Sequence, residues 1–508
     1  MNKSANNWHA PEDIRPVVFR RENADAAYRA DLGHTKRFIE RWYADAVFRE
    51  KAAADPAAAA QEYGLERDHA EIRSLWNEEH RHEIDDFAAL PLSVKRYLNY
   101  QNEKVAGRDR YRRLATPLND RFAIWRDRMV ARCVSHLGGN KAEYVVHAPV
   151  CYELSKGCSV GCWFCSVAAP KLGSQFLRTP ENQALWSDTL NVIKDVMGQA
   201  ASMGFCYWAS DPLDNPDYED FLCDFHDING EFPQTTTAQP QKHVERVKKL
   251  LKLSEERNGF IDRFSILTLR QWNEILNAFT PEELAFVECI PQNREAFNPT
   301  KSISGRALER HKKNVARDKE ERLADDATFT TACVSGFLVN MVDRSVRLIT
   351  PCHATERWQL GYWTVAQGTF TDAASLRALI DQIIEDHMPT EVAPDRIVAF
   401  RDDLTHAPVA NGFNVTNRFR KHEVQSGPAT RMIGAMIAQG SYTADQIAGQ
   451  VSSFLSIPAA HSFEVMNQLF TAGLLDEEPH HGHDALGFQV PVGATDQPQT
   501  PAQPQLGA

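Results

Sequence analysis

The sequence predicts an α/β protein built on a partial (β/α)6, TIM-like barrel, with a helical region before it and a helical, winged-helix-like domain after it. Three features predict it. From about Tyr144, short apolar runs alternate with amphipathic helical patterns, and six strands can be counted. Before that point the chain is charged and helical in periodicity, and after about Asp402 the strand–helix rhythm stops. Repeated strand–helix units make parallel sheets because each right-handed crossover returns the chain beside the strand it left. Six units rather than eight leave such a barrel open on one side.

Residues 1–140 form the helical region. Phe38, Ile39, Trp42 and Tyr43 make an apolar stripe, Asp55-Pro56 reads as N-cap and first helical residue, and Gly64 closes that helix. The histidines in Glu78-Glu79-His80-Arg81-His82 read as surface residues of a charged helical stretch over 67–135. The barrel is expected over 141–400. Its strands are Val145-Val146 with Cys151–Leu154, then Phe205–Trp208, Thr235–Ala238, Phe264–Leu267, Val287–Ile290 and Thr331–Val334. A helix opens at Thr179-Pro180-Glu181, and another ends at Asn258-Gly259. Residues 401–485 read as a helical domain, from Met432, Thr443 and His461 onward, in the order of a winged helix-turn-helix. The tail, 486–508, is rich in Pro, Gln, Gly and Thr and reads as disordered.

Composition excludes several classes. Among the 508 residues no apolar run approaches the length that crosses a bilayer, so no membrane partner is expected. Met1–Glu12 lacks the apolar stretch of a secretory signal, which predicts a cytoplasmic protein. A net charge of −12 argues against nucleic acid as a general partner. The basic block Gln241–Arg257 interleaves its cations with Val244, Val247, Leu250 and Leu251 at helical spacing, and reads as a solvated helix face. Ten cysteines in a reducing compartment read as metal ligands, reactive thiols or small buried residues.

Three of those cysteines stand out. Cys158, Cys162 and Cys165 have the spacing C-x3-C-x2-C on a loop just after a strand. Three thiolates so close can ligate three corners of an iron–sulfur cube and leave one iron without a protein ligand. A zinc site is the competing reading, with Cys151 as fourth thiolate, although closed zinc sites normally use paired C-x2-C spacings. A small ferredoxin-like carrier is another, and it would not need so long a barrel.

Over 145–370 the chain resembles the radical S-adenosylmethionine superfamily. The resemblance implies a radical SAM barrel, a [4Fe–4S] cluster on the three cysteines, and S-adenosyl-L-methionine chelated to the free iron as radical source. It further implies that Phe164 approaches the adenine and that Ser210 and Asp211, in Ala209-Ser210-Asp211-Pro212, bind the methionine amino group. Ser265 and Thr268 would serve the ribose or carboxylate. The usual turn here is Gly-Gly-Glu-Pro-like, so the position fits better than the residues do.

Tyr152–Cys165, Tyr207–Asp214, Gly336–Val342, Ser345–Cys352, Trp358 and Gly361-Tyr362 are similar to the radical epimerases that mature proteusin-type ribosomal peptides. Residues 37–65, within the leader-like helices over 35–66, resemble the leaders of such peptides. The resemblance implies L-to-D inversion at backbone α-carbons of a precursor peptide, with electrons from a donor such as flavodoxin or ferredoxin. Inversion needs a hydrogen atom returned from the opposite face, and a thiol has a suitably weak bond to hydrogen. Cys352, in Thr350-Pro351-Cys352 near the expected open side, is the first candidate, and Cys333 the second. Cys133, Cys206, Cys223 and Cys289 read as packing residues. The alternatives are another radical peptide modification, such as thioether formation, and a non-catalytic peptide-binding homologue. No second dense cysteine cluster favours the former.

Overall fold

The computed structural model describes residues 14–15, 17–138, 142–297, 302–317, 319 and 330–479. The tail beyond 479 and the Met1–Glu12 segment lie outside the described residues. Caps set the first helices, α1 (Ala26–Ala44), α2 (Ala46–Ala54) and α3 (Pro56–Glu62). Asp45 ends α1 and starts α2, its carboxylate accepting from Val47 and Phe48 N–H groups at 3.0 and 3.1 Å. Asp55 accepts from Ala58 N–H at 3.0 Å, Pro56 follows it, and Gly64 turns the chain at φ +61°. The leader-like stretch is therefore an integral packed unit. Phe38 and Phe48 are fully buried and meet edge to face at 5.4 Å.

The charged stretch over 67–135 is several elements rather than one. It holds α4 (Arg73–Trp76), two 3-10 segments, the long α5 (Leu92–Leu114) and α6 (Asp120–His136). His80 bonds Glu83 at 2.9 Å and His82 is exposed, both surface roles.

The centre is a mixed α/β arrangement. Strand β1 (Ala148–Glu153) leads through the short pair β2 (Ser155–Lys156) and β3 (Ser174–Gln175) to α7 (Pro180–Met197), capped by Thr179. Then come α8 (Tyr218–Asn229), β4 (Thr236–Thr237), α9 (Val244–Glu256), β5 (Asp262–Ile266), α10 (Leu269–Ala278), β6 (Val287–Pro291) and α11 (Gly305–Val315). Next are β7 (Val334–Asn340), β8 (Ser345–Pro351), β9 (Tyr362–Thr369) and α12 (Ala373–His387). β4, β5 and β6 are parallel neighbours, Phe205 bridges parallel to Cys151, and β7 pairs parallel with β1.

Four strand predictions are corrected. Val145-Val146 precedes the sheet, the Phe205–Trp208 run is reduced to one bridge, and Thr235–Ala238 pairs only at Thr236-Thr237. The expected sixth strand starts where it was to end, at Val334, and lies beside the first strand. Its residues 334–339 are all buried, so no alternation marks it in the sequence. Gly336 permits the close pairing, since a β-carbon there would sit 1.9 Å from Pro149 O.

Side chains on the two faces of this sheet go to different places. Val150, Tyr152, Phe337, Val339 and Leu348 join the large core with residues of α7 and α12. Ala148, Cys151, Val334, Leu338 and Ile349 form a second cluster with Phe205, lined by Tyr111, Tyr207, Trp208 and Cys333. We call this second side the inner face. Helix α5 reaches both β6 and the residue before β7, with Lys104 bonded to Glu288 at 2.6 Å and Tyr111 within electrostatic range of Cys333.

Glu288 ties three elements together, because Arg263 of β5 also donates to it at 2.9 Å. Burial alone would raise its pKa, but Arg263 and Lys104 hold it down to about 2. Glu288→Ala is expected to cost about 2 kcal/mol at neutral pH by urea unfolding. A depressed carboxylate stabilises above its unfolded pKa, so the difference from the parent should shrink as pH falls from 4.5 towards 2.

The last part departs most from expectation. A three-stranded antiparallel sheet, β10 (Thr405–Val409), β11 (Gly412–Thr416) and β12 (Lys421–Gln425), precedes α13 (Pro428–Ile437), α14 (Ala444–Leu455) and α15 (Ala459–Thr471). The helices match the prediction, while the alternating, mostly polar strands carried too little apolar signal to be read. Phe413, Ile433, Ile447, Val451 and Leu469 share one core. Arg401 donates to Ser135 Oγ at 3.2 Å, and the Arg128 guanidinium lies 3.9 Å over Phe470, joining this part to α6.

Candidate functional site

The cysteine loop leaves the carboxyl end of β1 and is clipped at its base by the β2–β3 pairing. Gly157 is at φ +85° with Lys171 O only 2.3 Å from where a β-carbon would be, so this tight base requires glycine. Cys158 N–H donates to Pro170 O at 2.9 Å, and Cys165 N–H to Cys162 O at 3.2 Å. Backbone amides also point at sulfur. Val160 and Gly161 donate to Cys158, and Ala169 to Cys165 Sγ at 3.4 Å.

All three thiols are half-buried. Burial, then the neighbouring Cys165 and Cys158, push Cys162 up to about 12. Cys158 is also raised, first by burial and then, against its amide donors, by Asp211 and Asp214. The three sulfurs thus share one field. Among the described residues, however, no group of three His, Cys, Asp or Glu side chains is gathered as a metal-ligand set. Soft thiol donors with amides aimed at them would suit a thiophilic metal, iron–sulfur or zinc alike. Cys151, which zinc would need as fourth ligand, donates to Tyr207 O at 3.0 Å, and its electrostatic neighbours are Glu153, Cys333 and Cys206.

The other predicted residues lie within the loop or at and after strand ends, with varied duties. Phe164 is half-buried and edge-on to Trp163 at 5.2 Å. Asp211 is buried and accepts from Leu213 N–H (3.1 Å), Thr237 Oγ1 (2.9 Å) and Ala238 N–H (2.8 Å). Burial raises its pKa against those donors. Its carboxylate is thus committed to holding the 209–212 turn against β4, whereas the half-buried Ser210 beside it makes no comparable staple. Thr268 caps α10, accepting from Gln271 N–H at 3.1 Å, and Ser265 is held through its carbonyl by Gln271 Nε2 at 3.2 Å.

Sequence reasoning missed Glu153. It is 4% exposed, accepts from Ala209 N–H at 3.4 Å and Asn340 Nδ2 at 3.0 Å, and lies 3.7 Å from Arg347. A lone carboxylate ending an apolar strand was the available signal. Arg306, also missed, ties α11 to the loop, its Nη1 donating to Cys162 O at 3.2 Å.

The two donor candidates lie apart. Cys352 is 1% exposed in the large core with Trp358 and Trp363, and its thiol bonds His353 O at 3.1 Å. The expectation that it faces an open side is corrected. Cys333 is half-buried on the inner face, among Tyr111, Tyr207 and Trp208. Burial pushes it up to about 11, with Arg263 opposing.

Comparison with known proteins adds kinship without chemistry. Residues 398–473 match the family described as "Protein y4wI C-terminal domain". The "Uncharacterized protein y4wI" of Sinorhizobium fredii is 36% identical over 477 residues, covering 92% of this chain and 91% of that protein. No solved structure matches. Likeness at that identity over nearly both full lengths means that the chain belongs to the y4wI family.

Proposed function

We propose that the chain is a radical S-adenosylmethionine enzyme that inverts L-residues of a ribosomal precursor peptide. The observation that carries this reading is the three-thiol loop at the end of β1, its sulfurs met by backbone amides, on the strand that also presents Cys151 to the inner face near Cys333. Support for a partial barrel comes from the parallel relations β7–β1–Phe205 and β4–β5–β6, and from Arg263 of β5 reaching the field of Cys333.

Cys158, Cys162 and Cys165 would hold the [4Fe–4S] cluster. When bound, it and S-adenosyl-L-methionine supply a 5′-deoxyadenosyl radical that takes a hydrogen atom. The Glu153–Asn340 pair fixes the Ala209 end of the turn that faces the loop, and Asp211 fixes its other end. On the inner face, Tyr207 and Trp208 pack against the same apolar cluster as Cys333. With its pKa at about 11, Cys333 keeps its hydrogen at any physiological pH. It gives that atom to the planar α-carbon radical, forming a C–H bond and breaking its own S–H bond. The resulting thiyl then takes one electron and one proton, the electron coming from a donor protein of the flavodoxin or ferredoxin class.

The test is co-expression with the precursor peptide in deuterated water. One added mass unit per inverted residue is expected, because a thiol exchanges its hydrogen with solvent. An unchanged peptide mass alongside intact cofactor cleavage would refute the inversion.

A further inference from the structure

We infer that the basic collar around the cysteine loop is the docking surface for an acidic one-electron donor protein. The inference rests on the redox reading of that loop. The chain carries a net charge of −12, yet α11 (GRALERHKKNV) holds four Lys or Arg against the single Glu309. Arg306, Arg310 and Lys313 share one helix face by their spacing, and Lys312 and Lys313 are exposed.

This face runs onto the loop itself. Arg306 N–H donates to Cys165 O at 3.0 Å. The Arg310 guanidinium lies 4.2 Å over the Trp163 ring, and Arg294, after β6, lies 5.7 Å from it. Trp163 separates two of the loop cysteines in sequence order and is 37% exposed. An exposed aromatic braced by cations, beside half-buried thiols, gathers positive charge on the Trp163 side of the loop, away from Asp214, which accepts from Ser159 N–H.

Clustered cations on an acidic chain attract and orient an acidic partner, and transient redox pairs use small, charged contacts of this kind. A peptide substrate has a different destination, since its reacting carbon must reach Cys333 on the inner face. An electron needs only the outer edge of the loop. On docking, the donor loses one electron to the centre the loop holds, and no bond forms or breaks.

The test uses full-length protein prepared without oxygen, a purified acidic flavodoxin in its reduced form, and basic cytochrome c as control. In the Lys312→Glu, Lys313→Glu double variant the flavodoxin association rate should fall about tenfold or more at low ionic strength, with a flatter salt dependence. Dithionite should still reduce parent and variant equally, and their circular dichroism should agree. Unchanged association and salt dependence would overturn the inference. So would an acidic peptide or a nucleic acid, rather than flavodoxin, losing its binding in the variant. Protein that takes up no iron would fail the redox reading and the inference with it. Iron-replete protein whose flavodoxin association ignores the reversed charges fails the docking site alone.

Discussion

Cys333→Ala is expected to abolish inversion while leaving iron content and S-adenosylmethionine cleavage at parental levels. Its thiol stands on the inner face with Tyr111 and Tyr207, so removing it leaves the α-carbon radical without a hydrogen atom from that side. Chiral analysis of the hydrolysed peptide should show D-residues falling below a hundredth of the parental amount. The companion variant, Cys352→Ala, empties part of the large core and should cost about 1 kcal/mol of stability with inversion retained. If Cys352→Ala rather than Cys333→Ala stops inversion, the donor assignment is reversed.

The second large effect concerns the loop. Anaerobic parent protein, reconstituted with iron and sulfide, should hold about four irons per chain. Each of Cys158→Ala, Cys162→Ala and Cys165→Ala should lose the cluster's visible absorption and all cofactor cleavage. Burial, and then the nearness of the other two thiols, raises Cys162, so deprotonating them together is unfavourable until a cation arrives. Cys151→Ala should keep its iron, as its thiol is spent on Tyr207 O. Loss of metal there, with tightly bound zinc in the parent, would favour the closed zinc set.

Legibility of the fold in the sequence followed the local signal. Asp55-Pro56 and Thr179-Pro180 announce helix starts because capping is decided within four residues, and both occur as read. Strands buried on both faces lack alternation, which hid the true span of β7. The polar meander over Thr405–Gln425 failed for the opposite reason, since little of it is apolar. At the site, the cysteine spacing could be read because it is local. Duties that depend on distant partners could not. Asp211 is a staple because Thr237 and Ala238 come to it, and Cys352 is sealed because β8 turns it towards Trp358 and Trp363. Glu153, Arg263 and Arg306 drew no notice because what each contacts lies more than 20 residues away.

Helix α5 carries a consequence for traffic. Because Lys104 grips β6 and Tyr111 nears Cys333 from the same helix, α5 occupies the flank beside both of those elements. Under the proposed function, a precursor peptide bound for that thiol would have to approach by a side other than the one α5 occupies.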